Sequence, residues 1–595
     1  MPNRTVHSCA MLLALAGSSR VLYADSFPAQ LPLSSLDGTT GFVINGIDAG
    51  DAAGKSVAII GDVNGDGVDD LLIGAYMADN GSANSAGEAY VVFGGAGVGA
   101  SGSFNLSTLD GSNGFIIRGR HSFDRCGWSG ASAGDINHDG IADLIVGAIG
   151  GGTAGTSYVV FGRNTAVDGQ FDASYNGWEL DGVDGFSING EFFDDYSGSS
   201  VASAGDFNGD GIDDLVIGAF HASLGIRTYE GVCYVFYGKD TAVDGPFPAD
   251  VSLPSLTGPT GFKLNGIGSY DWTGYDASGA GDLNGDGFDD IIVNARMQWS
   301  SGATYPAGRA YVVFGGPDVA PTGSLDLSAL DGTNGFTITP AVSNENIGYS
   351  VSEAGDVNGD GIADVIIGSS LGPLGKVYVL FGKNTSTDGP FTTPIPVASI
   401  DGTNGFSIGG LGAVGFSTVS GAGDINHDGI DDVIVGTPSR AQGFQQNIGG
   451  AYVVFGKDTA VDGLFPATVS VALLDGANGF AMPGIGAGDK AGGQVAGGGD
   501  VNADGIDDVI IGARGGDPNA NADAGECYIV FGRAPDPCAG DVTGDGITNA
   551  ADFTMLAGSF GSAVPPNTSG DLNGDGLVNA ADFTILAGDF GCGTP

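Results

Sequence analysis

GDVNGDGVDDLLIGA, the stretch from Gly61 to Ala75, decides how the rest of the chain is read. Asp62, Asn64, Asp66 and Asp70 stand at positions 1, 3, 5 and 9 of a tight loop, with Gly67 at position 6. Alternate positions of such a loop point to a common centre, glycine at position 6 permits the sharp bend, and the carbonyl of position 7 adds a ligand. All-oxygen donors suit calcium rather than zinc or copper. A DG pair alone is an ordinary hairpin turn, but a turn does not require four oxygen-bearing side chains at fixed places.

The phrase returns six times, at intervals of 68 to 76 residues. The same positions hold Asp135, Asn137, Asp139 and Asp143; Asp206, Asn208, Asp210 and Asp214; Asp282, Asn284, Asp286 and Asp290. They continue with Asp356, Asn358, Asp360 and Asp364; Asp424, Asn426, Asp428 and Asp432; Asp500, Asn502, Asp504 and Asp508. His138 and His427 replace glycine at position 4, where a side chain faces solvent, and are read as bystanders.

Two further phrases keep the same beat: YVVFG and its variants, from Tyr90 to Tyr528, and LDGxxGFxIxG, with phenylalanines from Phe42 to Phe480. Each unit thus holds four short β-branched or aromatic runs between Gly, Asp and Asn, the pattern of strands joined by turns. Four antiparallel strands repeated seven times predict an all-β chain, a seven-bladed β-propeller, whose radial repetition protects sheet edges. The phase is offset. An FxIxG run opens the chain and the last unit stops at YIVFG, so Phe42 to Asn45 is expected as the outer strand of the last blade, closing the ring and removing a free edge.

Composition narrows the function. Among 595 residues, 70 are acidic and 19 are Lys or Arg, giving a net charge of −51, so there is no basic footprint for nucleic acid. The first 24 residues, with Arg4 and His7 before the apolar Ala10–Ala16, read as a secretory signal. No later run reaches the ~20 apolar residues of a membrane span. Cys126, Cys233, Cys527, Cys538 and Cys592 follow the leader, without a CxxC pair. Cys233 and Cys527 replace small residues ahead of the third-strand tyrosine and are expected as buried fillers.

These units resemble FG-GAP repeats, the blades of the integrin alpha-chain propeller and of many secreted bacterial proteins. The resemblance spans Leu31 to Gly532 and includes the Gly-Ala after the loop, as at Gly74-Ala75 and Gly512-Ala513. In integrins only some blades carry the calcium loop, whereas here all seven do.

After a Pro-rich joint at 534–537 the texture changes, and GDVTGDGITNAADFTMLAGSFG is followed by GDLNGDGLVNAADFTILAGDFG. Asp541, Thr543, Asp545, Asn549 and Asp552, then Asp571, Asn573, Asp575, Asn579 and Asp582, occupy positions 1, 3, 5, 9 and 12 of EF-hand-like loops. The run AADFTILAGDF is expected to be helical, with Phe583 and Leu586 on one face. This pair resembles a dockerin type I module. The resemblance implies a cohesin partner on a scaffold, although positions 10 and 11, where dockerins carry recognition residues, are alanines. Cys538 and Cys592 bracket the module and are expected to pair, closing a loop worth roughly 4 kcal/mol in the chain-entropy model.

The domain reading is therefore a signal peptide at 1–24, a propeller at 25–533, a joint at 534–537 and a dockerin-like module at 538–595, with up to nine calcium sites. No catalytic constellation emerges. Ser132 in GxSxG lies in a strand rather than a nucleophile elbow, Asp195-Tyr196-Ser197-Gly198-Ser199 matches a metal motif only by chance, and His121 and His221 are isolated. The expectation is a secreted or cell-surface, non-enzymatic adhesion or recognition protein that binds an unidentified protein or glycan. The alternative is a polysaccharide-degrading enzyme or a component of an enzyme complex. The loops opposite the calcium loops vary most between units and in blades 2 to 4 carry Trp128, Phe193, Tyr229, Trp272, Arg296 and Trp299, residue types enriched at interface hot spots. On that reading, replacing Trp272 and Trp299 abolishes partner capture and leaves melting unchanged.

Overall fold

The structure is a computed structural model and describes residues 27–150, 154–223, 228–297, 307–342, 345–370, 376–412, 416–441, 446–534, 542–543, 548, 550–564, 570–572 and 577–589. The leader at 1–24, residues 535–537 of the joint, Trp299, Cys538, Cys592, Asp541, Asp545, Asn549, Asn573 and Asp575 lie outside the described residues. The chain divides into two compact units, of which Phe27–Ala534 is the larger.

That unit is a seven-bladed β-propeller. Blade 1 runs through Ser56–Ile59, Leu71–Ala75, Glu88–Val92 and Gly114–Arg118, all antiparallel, with Ile73 opposite Tyr90 and Tyr90 opposite Ile116. The next five blades repeat this order. Successive side chains of a strand point to opposite faces of its sheet. Leu72 and Val91 enter the core shared with blade 2, while Ile73 and Tyr90 enter the core shared with blade 7. Both faces of each sheet are covered, so the strands read as unbroken apolar runs rather than as alternation. Seven such clusters lie between neighbouring blades.

The ring closes as the offset predicts. Gly41–Asn45 pairs antiparallel with Glu526–Val530, Phe42 opposite Ile529. The N-terminal segment also makes a second closure that the repeat pattern does not announce. Gln30 bridges Ala481 in the outer strand of blade 6, the Leu31 N–H donates to the Ala481 carbonyl (2.8 Å), and the Phe27 ring stacks on Phe480 at 4.2 Å.

The blades are wider than four strands. In six of them a short fifth strand adds in parallel to the outer edge, as Ser174–Asn176 does on Gly114–Arg118. It comes from the strand 3–4 connection of the following blade, so each blade lends a rung to its neighbour and covers an edge that would otherwise be open. The same connections carry Phe171, Phe247, Phe391 and Phe465, which stack on the FxIxG phenylalanines of the preceding blade at 4.2 to 4.6 Å. Blade 1 has no such phenylalanine. Its connection brings Gly99 against Phe42 so closely that a Cβ would sit 2.0 Å from the ring.

In the C-terminal segment two helices, Ala550–Ser559 and Ala580–Asp589, follow the two loops. Leu556, Val578 and Leu586 form its core, and the halves are joined by backbone hydrogen bonds from Gly561 to Val578 (2.7 Å) and from Val578 to Ser562 (3.1 Å). Phe583 does not share the buried face of Leu586: Leu586 is 1% exposed and Phe583 43%. Asp582 and Leu586, four residues apart, define the inner face, and Phe583 meets Phe553 edge-on at 5.9 Å.

Candidate metal loops and binding face

All seven propeller loops share one hydrogen-bond plan. The position 1 carboxylate accepts backbone N–H groups across the turn, in blade 1 from Gly65 (2.7 Å), Asp66 (3.0 Å) and Gly67 (2.7 Å) to Asp62. The position 5 carboxylate accepts one, from Val68 to Asp66 at 3.0 Å. Position 9 is built into the blade. Asp70 is fully buried and accepts the N–H groups of Val63 (3.1 Å) and Gly94 (2.8 Å) and the amide of Asn64. In five loops, at Asn64, Asn137, Asn208, Asn284 and Asn358, the position 3 amide nitrogen donates to the position 9 carboxylate, which leaves the amide oxygen for another partner. Oδ1 of Asn137, Asn284, Asn426 and Asn502 is buried without a hydrogen-bond partner, as is Oδ2 of Asp432.

An orphaned buried oxygen costs about 1–3 kcal/mol, and here it recurs at one position of a repeat. The carboxylates raise the same need. Burial, with the neighbouring charges of Asp210 and Asp206, pushes Asp214 up to about 8, and burial holds Asp70, Asp143, Asp290, Asp364 and Asp432 well above the usual carboxylate range. A hard divalent cation among positions 1, 3, 5 and 9 would satisfy the oxygens and offset the repulsion. Among the described residues, no group of three or more His, Cys, Asp or Glu side chains is arranged to hold a metal ion, so a cation in the loop would need asparagine and backbone oxygens as well. His138 and His427 are exposed, with φ of 60° and 56°, and take no part.

Position 8 carries a role the spacing did not reveal. Asp213, Asp289, Asp431, Asp507 and Asp69 accept the backbone N–H of the position 1 aspartate in the preceding blade, at 2.7 to 2.9 Å. Ala142 and Ala363 replace the carboxylate at the other two junctions. Neighbouring strand 3–4 connections add a second grip: the Thr165 N–H donates to the Asn64 carbonyl at 2.9 Å, and Thr241, Thr385 and Thr459 repeat the contact. Each loop is thus clamped by the next blade.

In the C-terminal segment the position 12 carboxylates are buried as end ligands should be. Asp552 accepts from the Thr543 N–H (2.9 Å), and Asp582 from Leu572 and Asn579 (both 2.7 Å). Asp571 is buried as well.

On the opposite face the expected partner residues do not form one patch. Tyr229 and Trp272 both pack on His221, at 4.5 and 5.3 Å, and Trp272 also packs on Phe220 at 5.4 Å. Phe220 contacts Tyr275 (5.1 Å), and Arg296 lies over Tyr275 and Tyr349 at 4.2 and 4.4 Å. The result is a ladder of rings leading to the propeller axis. Trp128 stands apart, under Lys55 (4.3 Å) and against Tyr76 (5.3 Å). Phe193 is 74% exposed. Trp272 is half-buried in the ladder, so its replacement removes packing as well as surface, contrary to the expectation of unchanged melting. Phe193 and Tyr270, 51% exposed, are the cleaner probes. Asp195 holds the blade 2–3 turn by accepting the Phe192 N–H (2.9 Å). Asp124, Asp271 and Asp489 do the same in their own blades, and this repeated DxxG turn accounts for the DxSxS match.

A ring of seven antiparallel blades, each with an oxygen-rich loop on one face, defines a repeat propeller with candidate calcium loops. The chain carries FG-GAP repeats at residues 53–92, 127–160, 197–231, 273–313, 348–380 and 416–454, and a dockerin type I domain at 539–590. It is 33% identical over 181 residues to phosphatidylinositol-glycan-specific phospholipase D of Rattus norvegicus, covering 29% of this chain and 19% of that protein. It is also 33% identical over 165 residues to integrin alpha-5 of Xenopus laevis, covering 27% of this chain and 14% of that one. The chain thus spans less than a fifth of the length of either. Among solved structures, a type II cohesin-dockerin domain from Bacteroides cellolosolvens is 48% identical, covering 9% of this chain and 85% of that chain, with a TM-score of 0.08. The seventh blade, around Asp500, has the same four strands and loop geometry as the six matched repeats.

Proposed function

We propose that this is a secreted, calcium-loaded, non-catalytic recognition protein: the propeller captures a protein or glycan on the face opposite the calcium loops, and the dockerin domain fastens it to a cohesin on a scaffold or surface. The observation that carries the reading is the pairing of a docking domain with a propeller face whose rim exposes Phe123, Phe192, Phe193 and Tyr270. Aromatic residues are enriched at protein interfaces relative to the rest of the surface. The dockerin domain has a similar feature, with Phe553 and Phe583 at 46% and 43% exposure on its two near-identical helices. Asn64, Asp62, Asp66, Asp70 and their counterparts, with the dockerin loop carboxylates, would hold up to nine calcium ions, and the ions would supply charge compensation rather than chemistry. Among the described residues no helix is long and apolar enough to cross a membrane, so surface attachment would run through the dockerin domain. The phospholipase activity in the relative's name belongs to a protein of which this chain matches under a fifth. The polysaccharide-degrading alternative is disfavoured because the repeated carboxylates are committed to loop hydrogen bonds.

The test is retention of the full chain on cohesin-coated resin and on a glycan and protein panel in 1 mM calcium. Cohesin retention should vanish in chelator and fall with Phe553→Ala plus Phe583→Ala. Panel capture should fall with Phe193→Ala plus Tyr270→Ala. Hydrolysis of any panel polysaccharide, or capture insensitive to both pairs, overturns the reading.

A further inference from the structure

The innermost strands of all seven blades surround a cavity of about 400 Å³ that opens on the face away from the calcium loops. Its mouth differs in charge from the rest of the molecule. Of 19 Lys and Arg residues in the chain, four gather there: Lys55, Lys490 and Arg514 in the lining, and Arg296 stacked on the lining rings Tyr275 and Tyr349. Among the described residues none of the four is in an ion pair, although the chain has 70 acidic residues to offer. The Arg296 Nε is buried without a hydrogen-bond partner. Among the described residues the one acid in the lining, Asp276, is turned into the wall, where it accepts the Val351 N–H (2.9 Å) and the Ser200 hydroxyl (3.2 Å). Lys55, which donates to the Trp128 carbonyl (3.0 Å), and Arg514 are close enough to feel one another: burial first, and Arg514 second, pull the Lys55 ammonium down to about 8 against the opposing charge of Asp276.

Unpaired cations crowded in a partly desolvated cleft are unfavourable unless something anionic joins them. In a chain of charge −51, only a local site can hold an anion, because the general surface repels it. The remaining walls set the shape of the ligand. Trp128, Tyr349 and Phe416 put aromatic side chains in the lining, with Lys55 over Trp128, Arg296 over Tyr349 and Phe416 stacked on Tyr349, and Ser278, Ser352 and Ser420 line the cavity as well. Aromatic side chains, serines and planar guanidinium groups together suit a pyranose ring bearing a carboxylate, since guanidinium matches a carboxylate in two-pronged geometry. The volume falls in the range of small-ligand sites.

We propose that the axial mouth binds a uronic acid unit of an acidic saccharide. Arg514, Lys490 and Lys55 take the carboxylate, and the aromatic and serine side chains of the lining border the ring. This deepens the recognition role above by naming a ligand class for the axis, and it is separable from capture at the rim.

Titration calorimetry on the full chain in 1 mM calcium and low salt, with digalacturonate, its neutral counterpart galactobiose, and inorganic phosphate, tests it. Digalacturonate should bind at least about tenfold tighter than galactobiose and quench tryptophan emission. Arg514→Gln, and Lys490→Asn, which suits the left-handed φ of 58° at that site, should each weaken it about tenfold. Phe193→Ala plus Tyr270→Ala should leave digalacturonate binding unchanged even where panel capture is lost, which separates the two readings. No digalacturonate binding, equal galactobiose binding, phosphate competing as strongly as the acidic sugar, or insensitivity to both cation variants each overturns the proposal.

Discussion

Asp62 and Asp66 sit four residues apart in one loop, and their environments require opposite responses to calcium. Asp62 accepts three backbone N–H groups at 2.7 to 3.0 Å, so it shapes the turn with or without a metal. Asp66 is exposed and accepts a single N–H, from Val68 at 3.0 Å. Its remaining effect without metal is repulsive, because its charge is among the causes that raise Asp70. With a dissociation constant near 0.1 mM, in the range of extracellular calcium modules, and 1 mM calcium, one site contributes about 1.4 kcal/mol. Asp66→Ala should therefore lower stability by about 1.4 kcal/mol in calcium and be neutral or slightly stabilising in chelator. Asp62→Ala should cost about 2 kcal/mol in chelator, since charge-assisted caps are lost with or without the metal, and about 1.4 kcal/mol more in calcium, where the ion is lost too. Seven propeller loops together amount to about 10 kcal/mol, comparable to the stability of a whole domain. Urea titration followed by tryptophan emission, with and without chelator, measures all four quantities. An Asp66→Ala penalty that is the same in calcium and in chelator would refute the metal reading of the loop, whatever happens to Asp62.

Gly99→Ala should destabilise the propeller by about 2–4 kcal/mol, because the new Cβ would lie 2.0 Å from the Phe42 ring at a φ of 65°, whereas Gly97→Ala, with nothing within 4 Å, should be silent in the same thermal melt. The pH response of Lys55 has a definite sign. Its folded pKa, about 8, lies below the unfolded value, so the unfolded chain holds the extra proton from about 8 to about 10.4 and stability from this group rises with pH across that window. Acidic-saccharide binding runs the other way and should weaken as pH passes 8, an effect that Lys55→Gln should flatten in calorimetry at pH 7 and pH 9.

What the sequence made legible is what the repeat writes locally. The position 1 and position 5 aspartates, the position 6 glycines and the solvent-facing His138 and His427 act within one turn, so their spacing alone carried the meaning. Ring closure through Phe42 to Asn45 was readable for a different reason, since counting strands against units left one over at the start and one missing at the end. Cys126, Cys233 and Cys527 are buried thiols, as expected for Cys233 and Cys527 from the small residues they replace. The features that escaped are those that join blades. The position 8 aspartates bind partners 75 to 83 residues away, or 431 across the closure, and in sequence they read only as the second letter of DD. Ser174–Asn176 is a strand because Gly114–Arg118 has an open edge beside it, not because three residues show a period. Phe27 and Phe465 look like unrelated phenylalanines until each is found stacked on an FxIxG ring.

These joining features change what calcium would do in the molecule. The loop backbone is gripped from the next blade through the Asn64 carbonyl or its equivalent at four junctions and through the position 1 N–H at five. Rigidity conferred by an ion on one loop is therefore passed directly to a blade–blade junction. The two junctions with Ala142 and Ala363 lack the carboxylate clasp and depend more on the loop itself. Chelation should loosen those two first, at blades 1–2 and 4–5, and hydrogen exchange would register it as earlier loss of protection in Ser56–Ile59 and Thr273–Gly281, the inner strands that lead into the unclasped loops, than in the five clasped inner strands. Uniform loss around the ring would mean that the clasp contributes nothing and that the interblade apolar cores alone set the order of opening.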